Sequence, residues 1–378
     1  MTKRANGEGT RITRHANGQW WCRVTLPNGK RKPFYGRTQR EVIEKRDHYL
    51  ADYRAGRIST DAAQPVGKYL RDWLHGHKSI KPRTRLDYER QIELAAPIHN
   101  VRLDQLKPAH VQTLYDELEE RGLGPVSVHK VHRVLRIAFR RAAKLGYILR
   151  SPTDLAEPPR IEPGEHVTLS AEQGRGFLES TRGDRFHALW TLALLQGLRS
   201  GELRGLRWSD VDLDAGRVTI RQTVSDLGKA GLAPGTPKTP KSRRALALSA
   251  AAVEALRAHR TRQLAQRLAA ATWEDRPEWA DLVFTTCTGG PLCCTALHKP
   301  LQRALSAAGL PPMTPHELRH SYATILAEHG CDLIHVQHQL GHSSYHLTAD
   351  TYTHARQGRK SIATETVDRL FPVDSETG

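Results

Sequence analysis

The chain has 378 residues, with 57 Lys and Arg against 40 Asp and Glu, so its formal net charge is +17 and its pI about 9.9. That length supplies hydrophobic cores for about two to three domains, and the basic excess makes a polyanion, nucleic acid first, the expected partner. Five cysteines without paired spacing argue against a disulfide framework or a cysteine zinc site, and no apolar run is long enough to span a membrane; the start, MTKRANGEGT, has no signal-peptide core, so a reducing cytoplasm is expected rather than secretion or insertion.

Residues 19–25 alternate Trp20, Cys22 and Val24 with Trp21, Arg23 and Thr25, the period of a half-buried strand. Pro27-Asn28-Gly29 is a turn, and residues 30–35 form a basic return strand that Pro33 confines to an edge. Thr38 caps a helix to about residue 53, packed through Val42, Ile43, Arg46, Tyr49, Leu50 and Tyr53 and ended by Gly56. The cations Arg23, Lys30, Arg31 and Lys32 are either a solvated surface or a nucleic-acid contact. Residues 57–65 are a polar linker.

Only helical periodicity follows, over residues 66–77, 82–95, 108–121 and 127–146. In the last helix Val128, Val131, Leu135, Ala138, Ala142 and Leu145 form an apolar stripe, while Arg133, Arg136, Arg140 and Lys144 repeat at spacings of three and four. With a rigid apolar backing and a second basic segment at residues 78–85, that ridge suits duplex phosphates better than a plain solvated face. Residues 150–165, with Pro152, Pro158, Pro159 and Pro163, read as an extended linker without helix.

The remainder is mixed. Ser170 caps a helix, residues 186–195 are apolar, residues 217–223 and 244–248 look like strands, residues 251–270 form a long basic helix, and residues 282–285 a short buried strand. Gly197 ends one helix and Ser200 caps the next, which puts Arg199 at a positive helix end where its guanidinium fork can reach an anion. Thr314, Pro315 and Glu317 form a capping box that starts a further helix. Leu318, Tyr322, Ile325 and His329 share its buried side, and His316, Arg319 and His320 lie together on another face. Asp332 caps the next helix, with Leu333, Val336 and Leu340 apolar and Gly341 as its stop, which fixes the place of His342; Thr348 then caps a short helix that carries Tyr352. Two chemistries compete for this stretch. His316-Glu317-Leu318-Arg319-His320 is a literal H-E-x-x-H, the zinc metalloprotease signature. Alternatively His316, Arg319 and His342 grip a phosphate beside a nucleophilic Tyr352.

The second pattern is much longer than the first: H-x-x-R, then L-G-H, then a Tyr ten residues after that His. It resembles the tyrosine recombinase family of the phage-integrase type. The resemblance implies a multidomain α+β protein: an arm-type DNA-binding module over residues 1–60 (three-stranded sheet plus helix), a helical core-binding, SAM-like domain over residues 65–150, and a mainly helical catalytic domain with a small antiparallel sheet over residues 166–378. It also assigns roles. Arg199 and Arg319 become the catalytic arginines, Glu202 the acidic support of the first, and His316 and His342 the residues that hold or protonate the scissile phosphate. Residues 236–244 look like the family's lysine hairpin, with Lys238 as general acid for the 5′ oxygen and Lys241 as its rival. A phenol has a pKa of about 10, so Tyr352 must lose its proton as it attacks, and a nearby arginine cluster favours the phenolate.

The implied product is a 3′-phosphotyrosyl link and a free 5′-hydroxyl, a reversible exchange that needs no ATP, metal or other cofactor. The implied partners are double-stranded DNA attachment sites and three further copies of the chain in a homotetramer on DNA. The tail, with Val367, Leu370 and Phe371, either folds back or docks on a neighbouring protomer, and an accessory DNA-bending or directionality factor belongs to the same expectation. The place of action is the cytoplasm, at the bacterial nucleoid, in integration or excision of a phage or mobile element. A zinc metalloprotease and a type IB topoisomerase-like nicking-closing enzyme are the alternatives.

Overall fold

The computed structural model describes residues 10–15, 18–25, 31–54, 63–162, 167–237, 243–274 and 276–341. The chain divides into two compact units, Met1–Pro163 and Gly164–Gly378.

In the first unit, strands β1 (Thr13–Arg14), β2 (Trp20–Thr25) and β3 (Arg31–Gly36) form an antiparallel sheet with β2 in the centre. Pro33 lies on the edge strand, opposite Arg23, where its missing N–H costs no ladder bond. Alternation sends Cys22, Val24 and Phe34 onto Val42 of helix α1 (Gln39–Arg54), with Thr38 capping it through Glu41 N at 3.2 Å. Ile43, expected on the packed side, is 38% exposed. Trp21 and Tyr35 stack at 6.2 Å, with the Arg23 guanidinium 5.3 Å from the Trp21 ring. Lys32 does not join them. It pairs with Val24 in register and therefore shares the packed face. Its ammonium lies 3.8 Å from the Tyr49 ring centroid and 3.9 Å from Asp104 Oδ2, and burial lowers its pKa against the opposing pull of Asp104. The expectation of Lys32 as a surface cation is thus corrected: it ties the sheet module to the helical bundle. Lys30 lies outside the described residues.

That bundle comprises α2 (Val66–Gly76), α3 (Pro82–Leu94), α4 (Pro108–Glu120) and α5 (Pro125–Lys144). Proline opens α3, α4 and α5, where a helix has no use for that N–H. Leu70, Leu114, Tyr115, Leu118, Val131, Leu135 and Phe139 fill the core. The apolar stripe of α5 is wider than expected, taking in Val134 and Phe139, but Leu145 caps the helix and is 44% exposed. Arg133, Arg136, Arg140 and Lys144 are exposed, as the ridge requires. The stretch after α5 is less extended than its prolines imply. Residues Pro152–Asp154 form a 3-10 turn, with Pro152 leading it, and Asp154 meets Arg140 at 3.0 Å and Arg136 at 3.5 Å.

The second unit contains α6 (Ala171–Ser180), α7 (His187–Leu195), α8 (Ser200–Arg204), β4 (Val211–Asp212), β5 (Arg217–Ile220), β6 (Thr223–Asp226), β7 (Leu232–Gly235), β8 (Arg244–Ala247), α9 (Ala250–Ala269), α10 (His298–Ala307), α11 (Pro315–Glu328) and α12 (Leu333–Leu340). Helix α7 is buried from Ala188 to Leu194 and is the hub of the core. Strands β4, β5 and β8 make one antiparallel sheet, and β6 and β7 a separate hairpin. The run 217–223, expected as one strand, therefore divides between two sheets. Leu282, Val283 and Phe284 are buried as expected, but they make only isolated bridges, Arg207 with Leu282 and Thr285 with Pro291, rather than a strand. The segment that carries Lys238 and Lys241 lies between β7 and β8, outside the described residues.

Candidate active site

Four pieces of the second unit meet at one place: the α7–α8 turn, the start of β8, the middle of α11 and the end of α12. The turn depends on Gly197, whose φ of +59° favours glycine. A Cβ there would come within 2.5 Å of Tyr322 Cδ1 and 2.8 Å of Leu340 Cδ2, so the turn packs directly on α11 and α12. Helix α8 then starts one residue earlier than expected. Arg199, not Ser200, occupies the capping position, and its backbone N–H donates to Glu202 Oε2 at 3.0 Å.

The end of α12 is held by arginines. Its last turn closes on Gly341, left-handed at φ +62°. A helix end leaves its last carbonyls without intrahelical donors, and three carbonyls here take side-chain donors instead. Arg244 Nε donates to Gln339 O at 2.7 Å, Arg319 Nη2 to Leu340 O at 2.7 Å, and Arg199 Nη2 to Gly341 O at 3.0 Å. Arg319 also donates through Nη1 to Gly197 O at 2.6 Å, and it is only 2% exposed. The expected face of His316, Arg319 and His320 is therefore corrected: Arg319 points inward because the backbone carbonyls of two other segments need its donors, while His316 stays exposed. His329, assigned to the buried side, is exposed too.

Among the described residues one carboxylate, Glu202, bonds two of these arginines. Glu202 is buried and takes a hydrogen bond from Arg199 Nη1 at 3.0 Å and two from Arg244, Nη1 to Oε1 and Nη2 to Oε2, both at 3.1 Å. Burial pushes its carboxyl up, but the Arg244 hydrogen bonds and charge, with those of Arg199, outweigh this and hold its pKa below the usual carboxylate range. Among the described residues three guanidinium groups gather around one carboxylate, and Arg199 is the accessible one, at 35% side-chain exposure. A depression of about 420 Å³ at the start of β8 is lined by Thr219, Arg221, Arg243, Arg244 and Ala245, and so meets the cluster at Arg244 alone. A site of this kind favours a phosphate over a neutral ligand.

Arg244 was not among the residues singled out from sequence. A signal existed: it sits two residues before Leu246 on an alternating strand, hence on the inward face, and a buried arginine requires a carboxylate. His342 and Tyr352, the remaining members of the expected set, lie outside the described residues, as does Lys238. For the zinc alternative, the His316 and His320 rings stand edge to face at 4.6 Å, but Glu317 is committed to the capping box, accepting from Thr314 N at 2.5 Å. A carboxylate held there is turned toward the helix start rather than offered to a water as general base.

Comparison with known proteins identifies the family. The phage integrase family model matches residues 174–359. A XerC-like tyrosine recombinase from Caldanaerobacter subterraneus subsp. tengcongensis is 30% identical over 94% of this chain and 97% of its own length. An integrase from Streptomyces ambofaciens is 29% identical over 98% of both chains. Among solved structures, the Tn1549 transposon integrase in complex with a circular intermediate DNA superimposes with a TM-score of 0.70 at 20% identity, over 81% of this chain and 99% of that one. A λ integrase dimer bound to a core site gives 0.57 at 18% identity, over 96% and 99%. These two share the fold. The ordered H-x-x-R and L-G-H motifs, the family model and the full-length relative lead to one conclusion: this chain belongs to the tyrosine recombinase family and is a site-specific DNA recombinase of the phage and mobile-element integrase type.

Proposed function

We propose that this recombinase breaks and rejoins DNA with Tyr352 as nucleophile, forming a 3′-phosphotyrosyl intermediate, and that Arg199 and Arg319 with His316 and His342 bind and neutralise the scissile phosphate. The observation that carries this is the convergence of Arg199, Arg319 and Arg244 on the carbonyls of Gly341, Leu340 and Gln339, where α12 ends just before His342 in the chain. The negative charge that grows on the non-bridging oxygens during attack would meet fixed cations already in position, so little reorganisation is needed in the transition state. Glu202 aims Arg199. Lys238, or its rival Lys241, delivers a proton to the 5′ oxygen; both precede β8 by a few residues, and β8 begins with Arg244 in the cluster.

Double-stranded DNA is the substrate, engaged by three domains. The sheet face that carries Trp21, Arg23 and Tyr35, with exposed Arg31, is the arm-type contact; the exposed ridge of α5 is the core-type contact. The λ integrase tetramer bound to a Holliday junction and the Tn1549 integrase on DNA support a tetrameric assembly and a DNA substrate for the present protein. An accessory factor that sets direction, tail exchange between protomers and action at the nucleoid belong to the same proposal.

The test is a denaturing gel after the protein is mixed, in chelator, with a nicked duplex bearing the site it selects from a random-sequence library. Wild type is expected to give a covalent protein–DNA band and Tyr352→Phe none. No band from a duplex that the protein binds, with cleavage restored by divalent metal, would overturn the proposal.

A further inference from the structure

We propose that Arg244 is a positioning residue of the recombination site: it fixes the carboxylate that aims Arg199 and pins the helix end that presents residue 342, so that β8, α8 and α12 take up their catalytic geometry together. The inference rests on the proposed roles of Arg199 and His342. It adds a residue that acts through Glu202 and the end of α12.

Arg244 is 6% exposed, and its guanidinium spans two elements. Its Nη atoms meet both Glu202 oxygens at 3.1 Å, fork on fork, and its Nε meets Gln339 O at 2.7 Å. Glu202 Oε1 is shared: Arg199 Nη1 reaches the same oxygen at 3.0 Å. A Glu202 held by Arg199 alone, itself about one-third exposed, would be free to turn with it. The second contact is steric. A Cβ on Gly341 would come within 3.1 Å of Arg244 Nη1, so the left-handed turn that ends α12 rests against the guanidinium plane. Arg244 is also the first residue of β8, and the lysine-bearing segment runs directly into it. One side chain thereby links the support of the first arginine, the turn that ends α12 and the start of the strand that follows the lysine-bearing segment. Lysine cannot replace it, because a single ammonium on a flexible stem does not bond two carboxylate oxygens and a carbonyl in one plane.

The test is a double-substitution cycle on the single-turnover cleavage rate, using the nicked duplex described above, with affinity for that duplex and melting temperature measured beside it. Arg244→Lys is expected to bind DNA as the parent does and to cleave at least tenfold more slowly. In an Arg199→Lys background, the same change is expected to cost less than threefold, because the arginine it would have aimed is already gone. A merely structural role would lose the same factor in both backgrounds. If Arg244→Lys melts below the assay temperature, Arg244→Gln with Glu202→Gln keeps a neutral hydrogen-bonded pair and takes its place in the cycle. Cleavage by the Arg244 variant within twofold of the parent, or equal losses in both backgrounds, overturns the positioning role. Wild-type cleavage by Arg199→Lys alone would instead overturn the active-site assignment, and the positioning role with it.

Discussion

Glu202 shows how much of this site is decided by one side chain. A carboxylate so deeply buried is tolerated only because two guanidinium groups bond it, and its removal strands Arg244 in the interior. We expect Glu202→Gln to destabilise the second unit by about 3 kcal/mol, the usual cost of breaking a buried pair from one side. The pH dependence follows from the depressed pKa. In the unfolded chain the carboxyl titrates at about 4.3, so the stabilisation is complete above that value and is lost as pH falls through the lower folded value. The melting-temperature gap between wild type and Glu202→Gln should therefore be constant from neutral pH down to about 5 and close below about 4. A gap unchanged down to pH 3 would mean that the ionised form is not what the two arginines hold.

At the level of elements, the site is a meeting of helix ends rather than a row of residues on one helix. The α7–α8 turn reaches α11 and α12 only because Gly197 has no side chain, so Gly197→Ala tests the packing without touching a charge. Its positive φ costs an alanine roughly 1 kcal/mol, and the clash with Tyr322 and Leu340 adds to that. We expect a total loss of about 3 kcal/mol, in the range of overpacked interiors, with cleavage falling in parallel because Gly197 O is also a partner of Arg319. Unchanged melting would show that the turn has room to move. The same elements explain what could be read from sequence. The capping box at Thr314, the Asp332 cap and the Gly341 stop are local signals, and all three stand in the structure. The inward turn of Arg319 and the role of Arg244 were not legible, because the carbonyls and carboxylate that draw these arginines inward come from segments tens of residues to more than a hundred away in the chain. Likewise the turn after residue 227 that folds β7 onto β6 was hidden in a Gly- and Pro-containing run, and the burial of Lys32 depends on Asp104 in another element.

For the whole molecule, the excess of seventeen positive charges is the term that binds DNA, but structure decides which charges count. Each phosphate neutralised by a Lys or Arg releases counterions, so the logarithm of affinity falls with the logarithm of salt by about 0.9 per contact. On the α5 ridge, Asp154 holds Arg140 at 3.0 Å and Arg136 at 3.5 Å in the free protein. Both pairs are half exposed, so breaking them costs little stability, since exposed pairs contribute about 1 kcal/mol or less. Removing the carboxylate should thus release cations for the backbone without harming the fold. Asp154→Asn is expected to bind duplexes of any sequence more tightly, with a salt slope steeper by about one contact, and to discriminate less between specific and random DNA because the gain is blind to bases. Arg140→Ala should shift the slope the other way. If neither substitution changes the slope, the ridge does not lie on the phosphate backbone, and the core-type contact must be sought on another face of the bundle.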